Sequence, residues 1–222
     1  MNIQKMQLAF LTKLKNDYNV EFDIPTIQIE YFLNEAQRRI VEKYYAVFEE
    51  DERARKVLSH LVVPEDLDRT NVSADTAGLV PNGEYWILPS TCMYSLKEEA
   101  TLNLNDCEDI TSTVGDYTRV YVKPINMDYY SKNVINPFKK PYSGLVWRID
   151  SSYKETNQIH MLITGGTYRV QTYHITYLAY PEEMSIANSI DCLLPSLVHQ
   201  EIVDEAVNVA LEIIQINKSF KI

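Results

Sequence analysis

Apolar residues recur at helical spacing near both ends of the chain and at strand spacing between them. Met6, Phe10 and Leu14 fall at i, i+4 and i+8, with Leu11 and Tyr18 beside them. This spacing predicts a short amphipathic helix from Ile3 to about Asn16. Asp17 to Pro25 reads as a connector, and Pro25 sits where a helix begins, a position at which its missing N–H is not needed. A second helix is expected from Thr26 to Phe48. Ile29, Phe32, Leu33, Ala36, Ile40, Tyr44 and Phe48 trace one apolar stripe, while Glu35, Gln37, Arg38, Glu42 and Lys43 lie mostly off it. The stretch EEDERARKVLSHL, Glu49 to Leu61, predicts a third, shorter helix with a solvated, charged first turn. Pro64 closes this helical region.

From Tyr85 to Tyr180 the pattern changes to short runs of β-branched and aromatic residues broken by turn residues. The expected strands are Tyr85–Leu88, Cys92–Leu104, Arg119–Pro124, Leu145–Asp150, Gln158–Ile163, Tyr168–Gln171 and His174–Tyr180. Gly165-Gly166 between two of these runs reads as a hairpin turn. Asn105 to Asp116 is acidic and built of small residues, which suits an exposed loop. Asp128 to Tyr142, DYYSKNVINPFKKPY, reads as a long aromatic connection.

Helical spacing returns after Leu194-Pro195. Val198, Ile202, Ala206, Val209, Ala210 and Ile213 share one side of the stretch Ser196 to Ile216, and Glu201, Asp204, Glu205, Asn208 and Glu212 the other. So wide an apolar face needs partners, and the N-terminal helices are available. The expected class is α+β: a helical bundle of N- and C-terminal helices, with an inserted antiparallel β-sandwich or barrel-like domain. The corresponding divisions are 1–63, 64–190 and 191–222, the last completing the helical part and ending in a tail.

Composition narrows the function. The chain has 222 residues, enough for a substantial core. Its net charge of −10 disfavours a protein that grips nucleic acid by neutralising phosphates. Sixteen tyrosines suit half-buried surfaces, whether interfaces or strands. Cys92, Cys107 and Cys192 are odd in number and scattered, which fits free thiols in a reducing compartment. No apolar run reaches the length of a membrane span, and the N-terminus lacks the apolar centre of a secretion signal. Synthesis in a cytoplasm is therefore expected.

Candidate chemistry is sparse. His60, His160, His174 and His199 form no metal-ligand spacing with each other or with the cysteines, and HQEIVDE is not HExxH. There is no GxSxG elbow, and TGGT lacks the spacing and lysine of a phosphate loop. The acidic groups Glu49–Glu52 and Glu182-Glu183 suit solvated positions. No catalytic, cofactor-binding or metal-binding residue is assigned.

Several stretches in order nevertheless resemble a known family. FLNEAQRRIVEKYY in the second helix resembles the opening of phage head–tail connector subunits. NPFKKPY, VWRID, ITYLAYP and DCLLPSLVHQEIVDEAVNVALEI, in that succession, resemble the structural ring protein of this kind in crAss-like phages of Bacteroides. The resemblance spans most of the chain; the loop Asn105–Asp116 and the stretch Thr70–Asn82 fall outside it. It implies a non-enzymatic virion subunit at the head–tail junction or in the tail, forming a closed ring of about twelve copies. It further implies docking below the portal protein and against adjacent tail or ring proteins, with DNA passing through the channel without specific binding.

A ring closed by head-to-tail contacts needs two unlike adhesive faces rather than a pocket. The aromatic connector and the tail are the candidates for such contacts: Tyr129, Tyr130, Phe138, Lys139, Lys140, Ile216, Phe220 and Ile222. The alternative reading is a β-rich tail module that binds carbohydrate or a host surface through its aromatic strands. The long apolar helices at both ends weigh against it.

Overall fold

The computed structural model describes residues 1–18, 24–73, 80–104, 119–151, 158–166 and 168–219. The chain divides into two compact units, Met1–Val62 with Tyr180–Ile222, and Val63–Ala179.

The first unit is helical. Helix α1 spans Ile3–Tyr18, α2 Thr26–Tyr45 and α3 Glu52–Leu58, the last continued by a 3₁₀ turn to Leu61. A 3₁₀ turn at Ser196–Val198 leads into the long C-terminal helix, His199–Ser219. The expected stripes are the buried ones: Ile3, Met6, Phe10 and Leu14 of α1, and Ile29, Phe32, Leu33, Ala36, Ile40 and Tyr44 of α2. Val198, Ile202, Ala206, Val209 and Ala210 are buried with Val203 and Val207, so the C-terminal helix packs against both α1 and α2. Phe10 stacks on Phe32 with ring centroids 6.0 Å apart. The polar side of the C-terminal helix is paired as well: Asp204 takes Lys13 at 2.7 Å, Glu205 and Glu212 each take Arg39 at 3.2 Å, and Glu201 accepts from Tyr44 Oη at 2.9 Å. Asp51 caps α3 by accepting from the Arg53 N–H.

The second unit is one curled, mixed sheet, a half-barrel. Of the two expected forms, antiparallel sandwich or barrel-like domain, the curled sheet is nearer the second, and it is mixed rather than antiparallel. The strands are β1 Val62–Leu67, β2 Gly83–Ile87, β3 Cys92–Leu104, β4 Arg119–Pro124, β5 Leu145–Asp150, β6 Ile159–Ile163 and β7 Tyr168–Ala179. Their spatial order is β1-β7-β3-β4-β5-β6-β2, and β4 and β5 run parallel. Parallel neighbours require a crossover, and helix α4, Met127–Asn133, supplies it within the stretch expected to be a plain connection. Numbering helices along the chain makes His199–Ser219 α5.

Three further expectations change. Pro64 lies inside β1, which is tolerated because β1 is an edge strand. Tyr168 to Ala179 is a single strand rather than two, paired along its length with β3 through three register shifts that bend the ladder. Gly165-Gly166 does not close a hairpin, because β6 and β7 are not neighbours. A Cβ on Gly165 would stand 3.1 Å from the carbonyl oxygen of Pro141. Close approach of two backbones, not a hairpin, is what glycine serves at that position.

One face of the sheet closes on a core that includes Trp86, Ala100, Leu102, Val120, Val122, Val146, Leu162, Val170, Tyr173 and Ile175. Inside this face a buried polar chain joins strands far apart in the ladder. Arg148 of β5 donates twice to Glu98 of β3, at 3.0 and 2.7 Å. Tyr173 of β7 donates to the same carboxylate at 2.9 Å, and His160 Nδ1 of β6 lies 2.8 Å from the Tyr173 hydroxyl. Strands β3, β4 and β5 separate β6 from β7, so that last contact exists only because the sheet curls.

Candidate assembly surface

The opposite face of β5 and β6 carries Trp147, Ile149, Ile159, Met161 and Ile163, and α4 covers it. Asn126 caps α4 by accepting from the Tyr129 N–H at 2.8 Å. Tyr129 and Tyr130 meet the Trp147 ring edge-on, at 5.7 and 6.3 Å between centroids. Burial raises the Tyr130 phenol above its usual range. Lys123 lies 4.8 Å from the centre of the Tyr129 ring. These two tyrosines thus hold the crossover helix to the sheet.

Beyond α4 the chain winds into a short turn. Asn136 accepts from the Phe138 N–H through its side chain and from the Lys139 and Lys140 N–H groups through its carbonyl, at 3.0 to 3.1 Å. Pro141 is buried against Gly165 and anchors the far end. The turn therefore has a defined shape, and it presents apolar side chains to solvent: Phe138 is 95% exposed and Ile135 88%. Tyr142 is 61% exposed, next to Leu145, which stands in register with Tyr121 of β4, itself 59% exposed. Lys139 and Lys140 are exposed, and neither has a side-chain ion pair or hydrogen bond among the described residues. Exposed large apolar groups gathered on one element mark a contact surface.

Of the contact residues expected from sequence, Phe138, Lys139 and Lys140 stand on this turn, and Tyr129 and Tyr130 at its root. Ile216 lies on α5. Phe220 and Ile222 lie outside the described residues, as does the loop Asn105–Asp116. Ile135, Tyr142 and Tyr121 were not singled out by sequence. A run of isolated apolar residues in a polar loop was the available signal for the first two.

A second set of residues missed by sequence lies on α2. The Asn34 side chain accepts from the Met184 N–H at 2.8 Å and donates to the Met184 carbonyl at 3.0 Å. Gln37 donates to the Glu182 carbonyl at 3.1 Å, and Glu30 accepts from the Ile186 N–H at 2.5 Å. Three polar side chains at i, i+4 and i+7 thus grip the backbone of 182–186. The polar letters of FLNEAQ have a structural task that periodicity alone assigns to solvent.

Among the described residues no group of three or more His, Cys, Asp or Glu is placed to hold a metal, and no helix is long and apolar enough to cross a membrane. The groove lined by Arg39, Lys43, Glu201, Asp204, Glu205 and Asn208 is occupied by the helix–helix ion pairs. Burial raises the Cys92 and Cys192 thiols to about 11, away from the reactive thiolate form.

Residues 10–219 match the family model described as phage tail ring protein 3/4. The chain belongs to this family of crAss-like phage ring proteins. Among curated proteins none matches. Phage tail ring proteins are virion components that assemble as rings.

Proposed function

We propose that the chain is a non-enzymatic adaptor subunit of the head–tail connector. In this reading it forms a closed ring, of twelve copies by resemblance, below the portal protein and continues the DNA channel into the tail. The observation that carries it is the family match over residues 10–219, joined to a fixed, solvent-facing apolar turn at 135–142. The N- and C-terminal helices act as a bundle that gives the subunit rigidity, and the β-rich part with its crossover supplies the contact surface. An acidic subunit suits a channel wall, because carboxylates repel the phosphates of passing DNA.

Electron cryomicroscopy of purified virions tests this: density of the chain should appear as a ring directly below the portal. A ring farther down the tail would retain the ring and remove the portal-docking assignment. The exposed aromatics Tyr121, Phe138 and Tyr142 also favour a second reading, a tail module that stacks on sugars. Saturable binding of the isolated chain to glycans, lost in Tyr142→Ala, would support that reading instead.

A further inference from the structure

We infer that the 135–142 turn of one copy docks on the acidic turn at 47–52 of the next copy, and that this is the heterologous contact that closes the ring. The inference rests on the ring reading above and specifies which surfaces meet. Residues 129–147 carry Lys132, Lys139 and Lys140 and no acidic residue, in a chain of net charge −10. Lys132 is engaged by Asp128 at 2.7 Å, so Lys139 and Lys140 are the cations left to a partner. Phe138 and Ile135 are exposed on the same turn as these charges, so the partner must offer both an apolar contact and negative charge.

DNA lacks the first property at its phosphate surface, and two lysines neutralise too few phosphates to hold it against the net charge. The chain itself has both. Between α2 and α3 the sequence VFEEDE makes an exposed turn: Val47 is 40% exposed, and Glu49, Glu50, Asp51 and Glu52 are all exposed. Glu52 is engaged by Lys56 at 2.8 Å, and Asp51 caps α3. Glu49 and Glu50 have no side-chain ion pair among the described residues. One surface is therefore basic with a projecting aromatic, the other acidic with an exposed valine, and each lies on a defined turn. A head-to-tail ring needs this pairing of unlike faces on every copy.

The test uses purified virions and a zero-length carbodiimide, which joins a lysine amine to a carboxylate in contact. Peptide mapping should find Lys139 or Lys140 joined to Glu49 or Glu50 in bands of at least twice the 25.7 kDa chain mass. The double variant Lys139→Glu, Lys140→Glu should reduce ring yield by about tenfold or more, and adding Glu49→Lys, Glu50→Lys should restore it. Circular dichroism of each variant verifies that it folds. Rings whose lysines cross-link elsewhere, to the portal, to another tail protein or only within one copy, overturn this contact while leaving the ring intact. Absence of any ring of this chain in the virion overturns the ring reading and this inference together.

Discussion

His160 shows what burial does to a single ionisable side chain. Buried inside the curled sheet, with Arg148 nearby, it is held neutral down to about pH 4 from an ordinary value of 6.5. The folded state therefore binds fewer protons than the unfolded chain between those values, so stability is full above pH 6.5 and falls as pH drops toward 4. Urea unfolding should show a loss of about 2 kcal/mol between pH 6.5 and 4.5 that His160→Asn removes. Equal slopes for the two proteins would exclude His160 as the source. Its hydroxyl neighbour Tyr173 donates to Glu98, which Arg148 also binds. None of this was legible in the sequence. Each of the four residues looks like an ordinary strand residue, and only the curl of the sheet brings them together.

At the scale of elements, periodicity was a good guide wherever one face is buried and the other wet. The stripes of α1, α2 and α5 and most strand limits follow directly from it. It failed where the element is short or carries a proline. Helix α4 has seven residues and its contact with Trp147 comes from adjacent tyrosines, so no stripe could form. β1 contains a proline and was not expected as a strand. The grip of α2 on 182–186 was equally hidden, since Asn34 and Gln37 bind backbone and leave no mark on the partner sequence. Asn34→Ala removes two hydrogen bonds and strands the buried Met184 N–H, so a loss of about 2 kcal/mol is expected. Differential scanning calorimetry measures it; a variant as stable as the parent would show that water replaces the side chain.

The chain carries a net charge of −10, and its 135–142 turn sets two lysines beside exposed apolar side chains. Family membership was legible from the order of several weak motifs, while the location of the turn proposed as the contact was only partly so: Phe138, Lys139 and Lys140 were visible, Ile135 and Tyr142 were not. Attraction between lysines and glutamates across a solvent-exposed contact is sensitive to salt. At about 1 M salt the screening length falls to about 3 Å, so the fraction of copies in isolated rings should fall several-fold on going from low salt. Sedimentation velocity reads this, and a salt-independent ring would point to an apolar contact alone.

The crossover between β4 and β5 has a bearing on timing. Tyr121 pairs with Leu145 across this loop, a far shorter separation than Lys97 with Thr176 or Gly83 with Ile163, so closing the crossover costs less entropy than closing the longer ladders. The turn at 135–142 belongs to that loop and is shaped largely by its own hydrogen bonds to Asn136, so it does not wait for the long-range ladders. In the proposed ring, the feature by which copies would recognise one another is therefore among the earlier parts of the β unit to take shape.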